Sequence, residues 1–184
     1  MKRGLLTVLG LTFLAGLAGC GTVGGGIFHE AMPFDVRYNQ TSGGTADWMS
    51  YRAIEIGQIS PGTMGSAVPA SLMADLQPFA QQELAKEGIL QGTGKMLLVT
   101  GEVTDYYQGS SSTARAVGFG DNPALTVRAK FIDRASGKVL AEVVLVSQSK
   151  SLRDWEEMVS RGLGHSVANY LDSKGIHKPK PDKN

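Results

Sequence analysis

The strictest constraint on the fold is an alternating segment that runs into a tight turn. In residues 124–133 the apolar side chains recur at every second position: Leu125, Val127, Ala129 and Phe131. Thr126, Arg128 and Lys130 stand between them. A period of two is typical of a strand with one buried face. The next five residues, RASGK, place Gly137 where a hairpin turn needs a positive φ. The pattern therefore predicts an antiparallel hairpin lying on a core.

Weaker patterns of the same kind define the other elements. Further strands are predicted at 51–59, 95–107 and 139–148, and helices at 70–88 and 152–174. Strands joined by hairpins, together with two helices, are typical of an α+β fold. We therefore expect a β-α-β-β-β-α sandwich, with a mainly antiparallel four-stranded sheet and helices packed on one face. Pro78 should kink or divide the first helix, and Gly162 and Gly164 should let the second helix approach the sheet closely.

The first nineteen residues have a separate character. Lys2 and Arg3 precede an apolar run that contains no charge and ends in small residues. The run is shorter than the roughly 20 apolar residues that span a bilayer. This arrangement predicts a secretory signal peptide.

Cys20, the only cysteine of the chain, stands directly after that segment. Leu17, Ala18, Gly19 and Cys20 resemble the lipobox of bacterial lipoproteins. The resemblance implies a diacylglycerol on the Cys20 thiol and cleavage before Cys20. Gly21, in place of the aspartate that retains enteric lipoproteins in the inner membrane, implies an outer-membrane protein with its domain facing the periplasm. The alternative is an ordinary signal peptide with a chance cysteine.

The predicted organisation follows from these boundaries. Residues 1–19 are expected to be a lipoprotein signal peptide, 20–47 a Gly-rich flexible tether, 48–175 the α+β domain and 176–184 a disordered basic tail. Within the tether, the segment IFHEAMPFDVRYN is left open as irregular packing or an edge strand.

Charge balance bears on the class of partner. The chain has 18 basic and 17 acidic residues, and the loss of Lys2 and Arg3 would leave 16 basic residues against 17. Nucleic-acid binding relies on clustered Lys and Arg. We therefore expect no nucleic-acid partner.

Motifs that would indicate catalysis or cofactor binding are incomplete. GFGDNP lacks the third glycine of a dinucleotide loop, and GTGKM lacks the hydroxyl that holds Mg²⁺ in a phosphate loop. Ser147 and Lys150 fit an S-x-x-K spacing without its companion motifs. His29, His165 and His177 have no metal-ligand spacing, and His165 is expected to be solvated. The sequence predicts no catalytic residue, no metal site and no cofactor.

The long connection at 109–122 is the candidate site. It is rich in Ser and Gly, and a hairpin usually needs only two to five residues. Tyr106, Tyr107, Arg115 and Phe119 lie in or beside it and are the candidate partner-binding residues. The alternative is that the aromatic residues cap the edge of the core.

Three stretches, LLVTGEV, RAVGFGDNPALTVRAKFID and SGKVLAEV, resemble a bacterial domain family of unknown function, number 4410. The family includes many predicted lipoproteins and has no agreed activity, so the resemblance implies an envelope lipoprotein and supplies no catalytic residue.

The leading functional hypothesis is a non-enzymatic outer-membrane lipoprotein that binds or helps assemble another envelope component. The alternatives are a module that binds a small envelope ligand or glycan, and a hydrolase whose site matches no known pattern.

Overall fold

The computed structural model describes residues 32–109, 122–150 and 154–176 of the chain. Five strands and two helices follow one another, with short 3₁₀ helices at Trp48–Ser50 and Gly62–Ala67. The elements are β1 (Phe34–Gly43), β2 (Ala53–Ser60), α1 (Ala70–Lys86), β3 (Met96–Tyr107), β4 (Ala124–Asp133), β5 (Val139–Ser149) and α2 (Trp155–Ser173). The α+β class predicted from sequence is confirmed.

The sheet has five strands in the order β1-β5-β4-β3-β2 and is mixed. Three neighbouring pairs, β1–β5, β5–β4 and β4–β3, are antiparallel, whereas β2 and β3 are parallel. The prediction of four mainly antiparallel strands is therefore only roughly right. The parallel pair arises because α1 lies between β2 and β3 and returns the chain to the end of the sheet from which β2 began.

The fifth strand is β1, which the sequence analysis placed in the flexible tether. Its Cα atoms pair with β5 from Phe34 to Gly43. The Phe34 ring is buried, with its centroid 5.7 Å from that of His165 on α2. The predicted start of the domain at residue 48 is therefore wrong. The glycines on either side of this segment indicated a flexible tether, but alternate side chains of the segment pack under α2. Of the two alternatives given for the segment IFHEAMPFDVRYN, irregular packing or an edge strand, the structure has the edge strand.

The other end of the domain also extends beyond its predicted boundary. Ile176 is buried, and its backbone N–H donates to the Leu171 carbonyl oxygen at 3.1 Å. Ile176 therefore belongs to the folded domain and not to the expected tail, of which residues 177–184 lie outside the described chain.

Both helices pack on one face of the sheet and against each other. α1 contacts β2, and α2 contacts β5 and β1. One hydrophobic core lies between the helices and the sheet. The helices contribute Leu72, Leu76, Ala80 and Leu84 from α1 and Val159, Leu163, Val167 and Leu171 from α2. The sheet contributes Leu97, Val99, Leu125, Val127 and Phe131, among others. The helices thus leave the other face of the sheet uncovered by either of them.

Two glycines of α2 lie at close contacts. Gly162 approaches the sheet, as predicted, whereas Gly164 approaches α1 and not the sheet. A Cβ on Gly162 would lie 2.0 Å from Ser147 Oγ on β5. A Cβ on Gly164 would lie 2.2 Å from the Ala80 carbonyl oxygen on α1. Real Cβ atoms do not approach other atoms so closely. Gly164 therefore requires glycine, because its neighbour is a backbone carbonyl, whereas a Cβ on Gly162 would require the Ser147 hydroxyl to rotate away. Pro78 does not divide α1, which continues through it to Lys86.

Candidate functional site

The aromatic pair predicted to bind a partner is split between the two faces of the sheet. Tyr106 and Tyr107 are consecutive on β3, so their side chains point in opposite directions. Tyr106 faces the helices, with its ring centroid 5.8 Å from that of Trp155. Tyr107 faces the uncovered side and is 43% exposed. The other two predicted residues, Arg115 and Phe119, lie outside the described residues.

Tyr106 belongs to the edge of the core. Burial raises its pKa to about 12, and the nearby Glu156 carboxylate contributes further. Its hydroxyl is buried and has no hydrogen-bond partner among the residues that the structure describes. For Tyr106 the alternative prediction, an aromatic that caps the core, is the one that the geometry supports.

The uncovered face of the sheet is the larger candidate surface. We call it the open face, and its side chains alternate with those of the core along the three central strands. They include Leu98, Thr100 and Glu102 on β3, Thr126, Arg128, Lys130 and Ile132 on β4, and Glu142, Val144, Val146 and Gln148 on β5. Arg128 and Lys130 are exposed and the others are half-buried.

Ion pairs between neighbouring strands neutralise this face. Arg128 Nη1 lies 3.3 Å from Glu102 Oε1, and Lys130 Nζ lies 3.9 Å from Glu142 Oε1. At the two sides of the sheet Lys150 pairs with Asp35 at 2.7 Å, and Arg134 pairs with Glu55. Solvent-exposed pairs of this kind contribute only about 0 to 1 kcal/mol each. Their main consequence is that positive and negative charges alternate on the open face, so no large patch of one charge forms there.

Aliphatic side chains lie among these pairs. Val144 and Val146 are both half-buried on β5, and Leu98 and Ile132 are cross-strand neighbours toward the other end of the face. A hollow of about 300 Å³ is lined by Ser60, Thr100, Gly101, Glu102, Arg128, Lys130 and Glu142. A non-obligate protein–protein interface is only about as apolar as the rest of a protein surface, so this mixture of aliphatic and charged side chains is compatible with partner binding.

A second candidate is a cleft of about 340 Å³ at the turn between β4 and β5. Polar groups line it together with Val139 and Leu140: Thr45, Asp47, Tyr51, Lys95, Asp133, Ser136 and Lys138. At its base the Asp133 carboxylate accepts hydrogen bonds from the Tyr51 hydroxyl at 2.7 Å and from the backbone N–H groups of Ala135 and Ser136. Lys95 Nζ lies 3.3 Å from the same carboxylate.

These contacts define what Asp133 can do. The Tyr51 hydrogen bond and then the Ser136 N–H hold the pKa of the Asp133 carboxyl well below its usual range. The pKa of Tyr51 is raised, first by burial and then by its bond to Asp133, and that of Lys95 is raised chiefly by Asp133. A carboxylate with four donors and a lowered pKa is a poor general base. Asp133 therefore anchors the hairpin, because aspartate side chains commonly bond the backbone N–H groups of a turn.

The buried histidine corrects another expectation. His165 is 2% exposed, and its Nδ1 lies 2.6 Å from Glu87 Oε1. His165 was expected to be solvated. However, α2 packs on both the sheet and α1. More of its circumference is therefore buried than in a helix that packs on a sheet alone. Within the described part of the chain no three His, Cys, Asp or Glu side chains converge as a metal site would require.

Sequence reasoning missed the open face as a site, although it placed Thr126, Arg128 and Lys130 outward. The signal was the alternation itself, because a strand with one core face has a second face of defined composition.

Neither helix of the described residues is long and apolar enough to cross a membrane. Cys20, on which the anchor prediction depends, lies outside them.

Comparison with known proteins identifies the fold and no family. No family model matches the chain, and no curated protein does. Among solved structures, a point variant of the PelC dodecamer from Paraburkholderia phytofirmans superposes with a TM-score of 0.50 at 13% identity, over 74% of this chain and 98% of that one. The PelC dodecamer in a second crystal form gives a TM-score of 0.48 at 14% identity, over 79% and 100% of the two chains. At such identity the likeness is one of fold alone.

Proposed function

We propose that this chain is a non-enzymatic outer-membrane lipoprotein, anchored through Cys20, whose domain binds or helps assemble another protein of the cell envelope. The observation that carries the proposal is the open face, on which half-buried aliphatic side chains alternate with cross-strand ion pairs. Both helices pack on the opposite face, so within the described part of the chain neither helix blocks access of a partner to the open face.

The lipobox resemblance supports the same proposal from another part of the chain. Two acyl chains are enough for stable anchoring in a membrane, whereas one is not. A domain held there is confined to a layer next to other envelope proteins, so even a modest affinity leads to binding through a high local concentration. The solved structure that superposes with a TM-score of 0.50 carries the name of a dodecamer, which is compatible with a role in an assembly.

In sequence, residues 110–121 follow two residues after the end of β3 at Tyr107. We extend the proposed surface to Arg115 and Phe119 of that segment, because charge and aromatic area suit recognition. Replacement of residues 110–120 by a short Gly-Ser turn should then weaken partner binding and leave the fold largely intact.

The test is crosslinking of the full-length chain in native envelopes, followed by affinity capture and quantification of what is captured. Val144→Arg places a cation beside Arg128 and Asn39, its neighbours in the sheet. It should reduce capture roughly tenfold, which corresponds to about 1.4 kcal/mol of binding free energy. Gln82→Arg introduces the same side chain at an exposed position of α1 and should leave capture unchanged.

Both arginine variants must show cooperative thermal unfolding near the wild-type temperature, so that loss of capture is not loss of fold. Undiminished capture by a folded Val144→Arg variant would refute the open face as the binding surface.

The alternative function, a module for a small envelope ligand or glycan, is favoured by one observation. The 340 Å³ cleft combines Lys138 with the hydroxyls of Thr45 and Ser136. Stabilisation of the purified chain by glycan fragments, lost in a Lys138→Ala variant, would support this function over the first.

A further inference from the structure

The outer edge of β1 has a regular set of backbone groups that point away from the sheet. The Pro33 carbonyl oxygen accepts a hydrogen bond from Lys150 N at 2.8 Å, so odd-numbered residues of this strand point their backbone groups toward β5. In an antiparallel pair the residues between them point outward. The outward N–H and C=O groups before the strand becomes irregular are therefore those of Phe34, Val36, Tyr38 and Gln40.

The opposite edge of the sheet is capped at two places. On β2 the Ile56 N–H donates to Gln81 Oε1 at 2.7 Å, and the Ile56 carbonyl accepts from Gln77 Nε2 at 2.9 Å. The preceding Arg52 carbonyl accepts from Gly92 N at 2.8 Å. No side chain of the described residues caps the outward groups of Phe34 to Tyr38 in this way.

We propose that β1 pairs with β1 of a second copy of this chain, antiparallel, across a two-fold axis at Val36. The pairing would join two five-stranded sheets by backbone hydrogen bonds, the mode known as β-augmentation. It uses an edge of the sheet and not the open face, so it stands or falls separately from the proposed function.

The regular part of the strand favours this register. The pairing of β1 with β5 shifts between Gln40 and Ser42, which marks a bulge. With the axis at Val36, Phe34 lies opposite the partner's Tyr38, and the paired stretch ends before the bulge. An axis at Tyr38 would oppose Phe34 to the partner's Ser42 and would include the bulge on both sides.

The charges of the strand favour the same register. Asp35 and Arg37 both project from the open face of β1. With the axis at Val36, each Asp35 lies directly opposite the partner's Arg37, and the symmetry forms this pair twice. Opposite charges in cross-strand positions stabilise a sheet, and like charges destabilise it. Lys150, 2.7 Å from Asp35, is a third charge near the pair.

Aromatic side chains add to it on the other face. Tyr38 already packs edge-on against Tyr170, with ring centroids 5.8 Å apart. In the proposed register the partner's Phe34 becomes its directly opposite neighbour, and aromatic cross-strand pairs are among the favourable ones.

Cysteine crosslinking of the full-length chain in its native envelope tests the register. Opposite residues of a hydrogen-bonded pair have Cα atoms about 5.5 Å apart, which lies within the range of a disulfide. Val36→Cys should therefore form covalent dimers under mild oxidation. Asn39→Cys is the matched control, because the axis at Val36 places the two Asn39 Cα atoms about 20 Å apart along the strands. The wild-type chain controls for Cys20.

Charge reversal tests the attraction. Asp35→Arg alone and Arg37→Asp alone should each weaken self-association of the detergent-purified chain roughly tenfold, because two symmetric pairs change at once. The double variant Asp35→Arg/Arg37→Asp should restore it. Lys150→Ala removes the existing partner of Asp35 without a change in β1 and should leave the dimer intact.

Three results would overturn the proposal: a monomeric mass for the wild-type chain at high concentration, crosslinking of Asn39→Cys as strong as that of Val36→Cys, or no recovery in the double variant. A heterologous complex in which β1 pairs with another protein's strand would give the first of these.

Discussion

The Tyr51 hydroxyl donates a hydrogen bond of 2.7 Å to Asp133 Oδ2, across 82 residues of sequence. This bond connects Tyr51, which lies between the first 3₁₀ helix and β2, to the last residue of β4. Lys95 lies 4.3 Å from the Tyr51 ring centroid and 3.3 Å from the same carboxylate. One buried hydroxyl thus links the edge of the sheet to the β4–β5 hairpin.

Removal of that hydroxyl should destabilise the domain. Tyr51→Phe keeps the ring in the core and deletes a hydrogen bond to a charged acceptor, a change that costs roughly 1 to 3 kcal/mol. Urea unfolding at pH 7 measures the loss. A variant as stable as the wild type would show that solvent replaces the hydroxyl fully.

The same bond should make stability depend on pH. The pKa of Asp133 is lowered in the folded state, first by Tyr51, so the unfolded chain binds its proton more readily. The contribution of the group is complete above the unfolded pKa of about 3.9 and is lost as the pH falls toward the folded value. The difference in unfolding free energy between wild type and Tyr51→Phe should therefore be larger at pH 7 than at pH 3. Tyr170→Phe, whose hydroxyl bonds the neutral Gln40 amide, is the control and should show no such change.

Phe131 should be one of the most costly side chains to truncate. Phe131 is fully buried. Its ring centroid lies 4.6 Å from that of Tyr170 and 6.1 Å from that of Trp48. Phe131→Ala should lower the unfolding free energy by roughly 3 to 5 kcal/mol. Tyr107→Ala removes an exposed aromatic at the other face and should cost far less; equal losses in chemical denaturation would contradict the core described here.

Gly164 should not accept even a methyl group. Its Cβ would meet the Ala80 carbonyl at 2.2 Å, so Gly164→Ala must push α2 away from α1 and should cost roughly 1 to 3 kcal/mol. A Cβ on Gly44 meets nothing within 4 Å. Gly44→Ala should therefore leave the melting temperature unchanged or slightly raised, and a similar loss in both variants would argue against helix contact as the cause.

The anchor can be tested without reference to the fold. Cys20→Ser removes the only thiol that a lipid could modify. We expect the variant to lose lipid labelling and to accumulate as a soluble or uncleaved chain in membrane fractionation. Normal membrane recovery together with normal labelling would reject the lipoprotein interpretation.

Local patterns of sequence were enough for the elements whose two faces differ strongly. β4 begins and ends at Ala124 and Asp133, as its alternation predicted, and both helices end within a few residues of the expected positions. β1 has the same alternation in Phe34, Val36 and Tyr38, but the Gly-rich residues before and after it favoured a flexible segment. Only its pairing with β5, which follows more than a hundred residues later, makes it a strand.

The candidate site was less predictable for a related reason. The position of Tyr106 and Tyr107 beside a long connection indicated a joint surface, yet consecutive residues of a strand cannot share a face. The ion pairs Arg128–Glu102 and Lys130–Glu142 depend on the register of neighbouring strands. That register is a tertiary property which no local pattern specifies.

Two glutamine side chains of α1 bond the edge strand β2, and this limits how many copies of the protein could join edge to edge. Gln77 and Gln81 occupy the N–H and C=O groups of Ile56, in the middle of that edge, where a further strand would have to bond. Among the described residues, the edge at β1 has no such caps from Phe34 to Tyr38, so strand addition is favoured there over β2. A sheet with two free edges could grow copy by copy into a filament, whereas growth that starts at β1 has no second edge from which to continue. If copies pair through β1 as proposed, association by strand addition would therefore end at dimers, because glutamine side chains of α1 cap the other edge of the sheet.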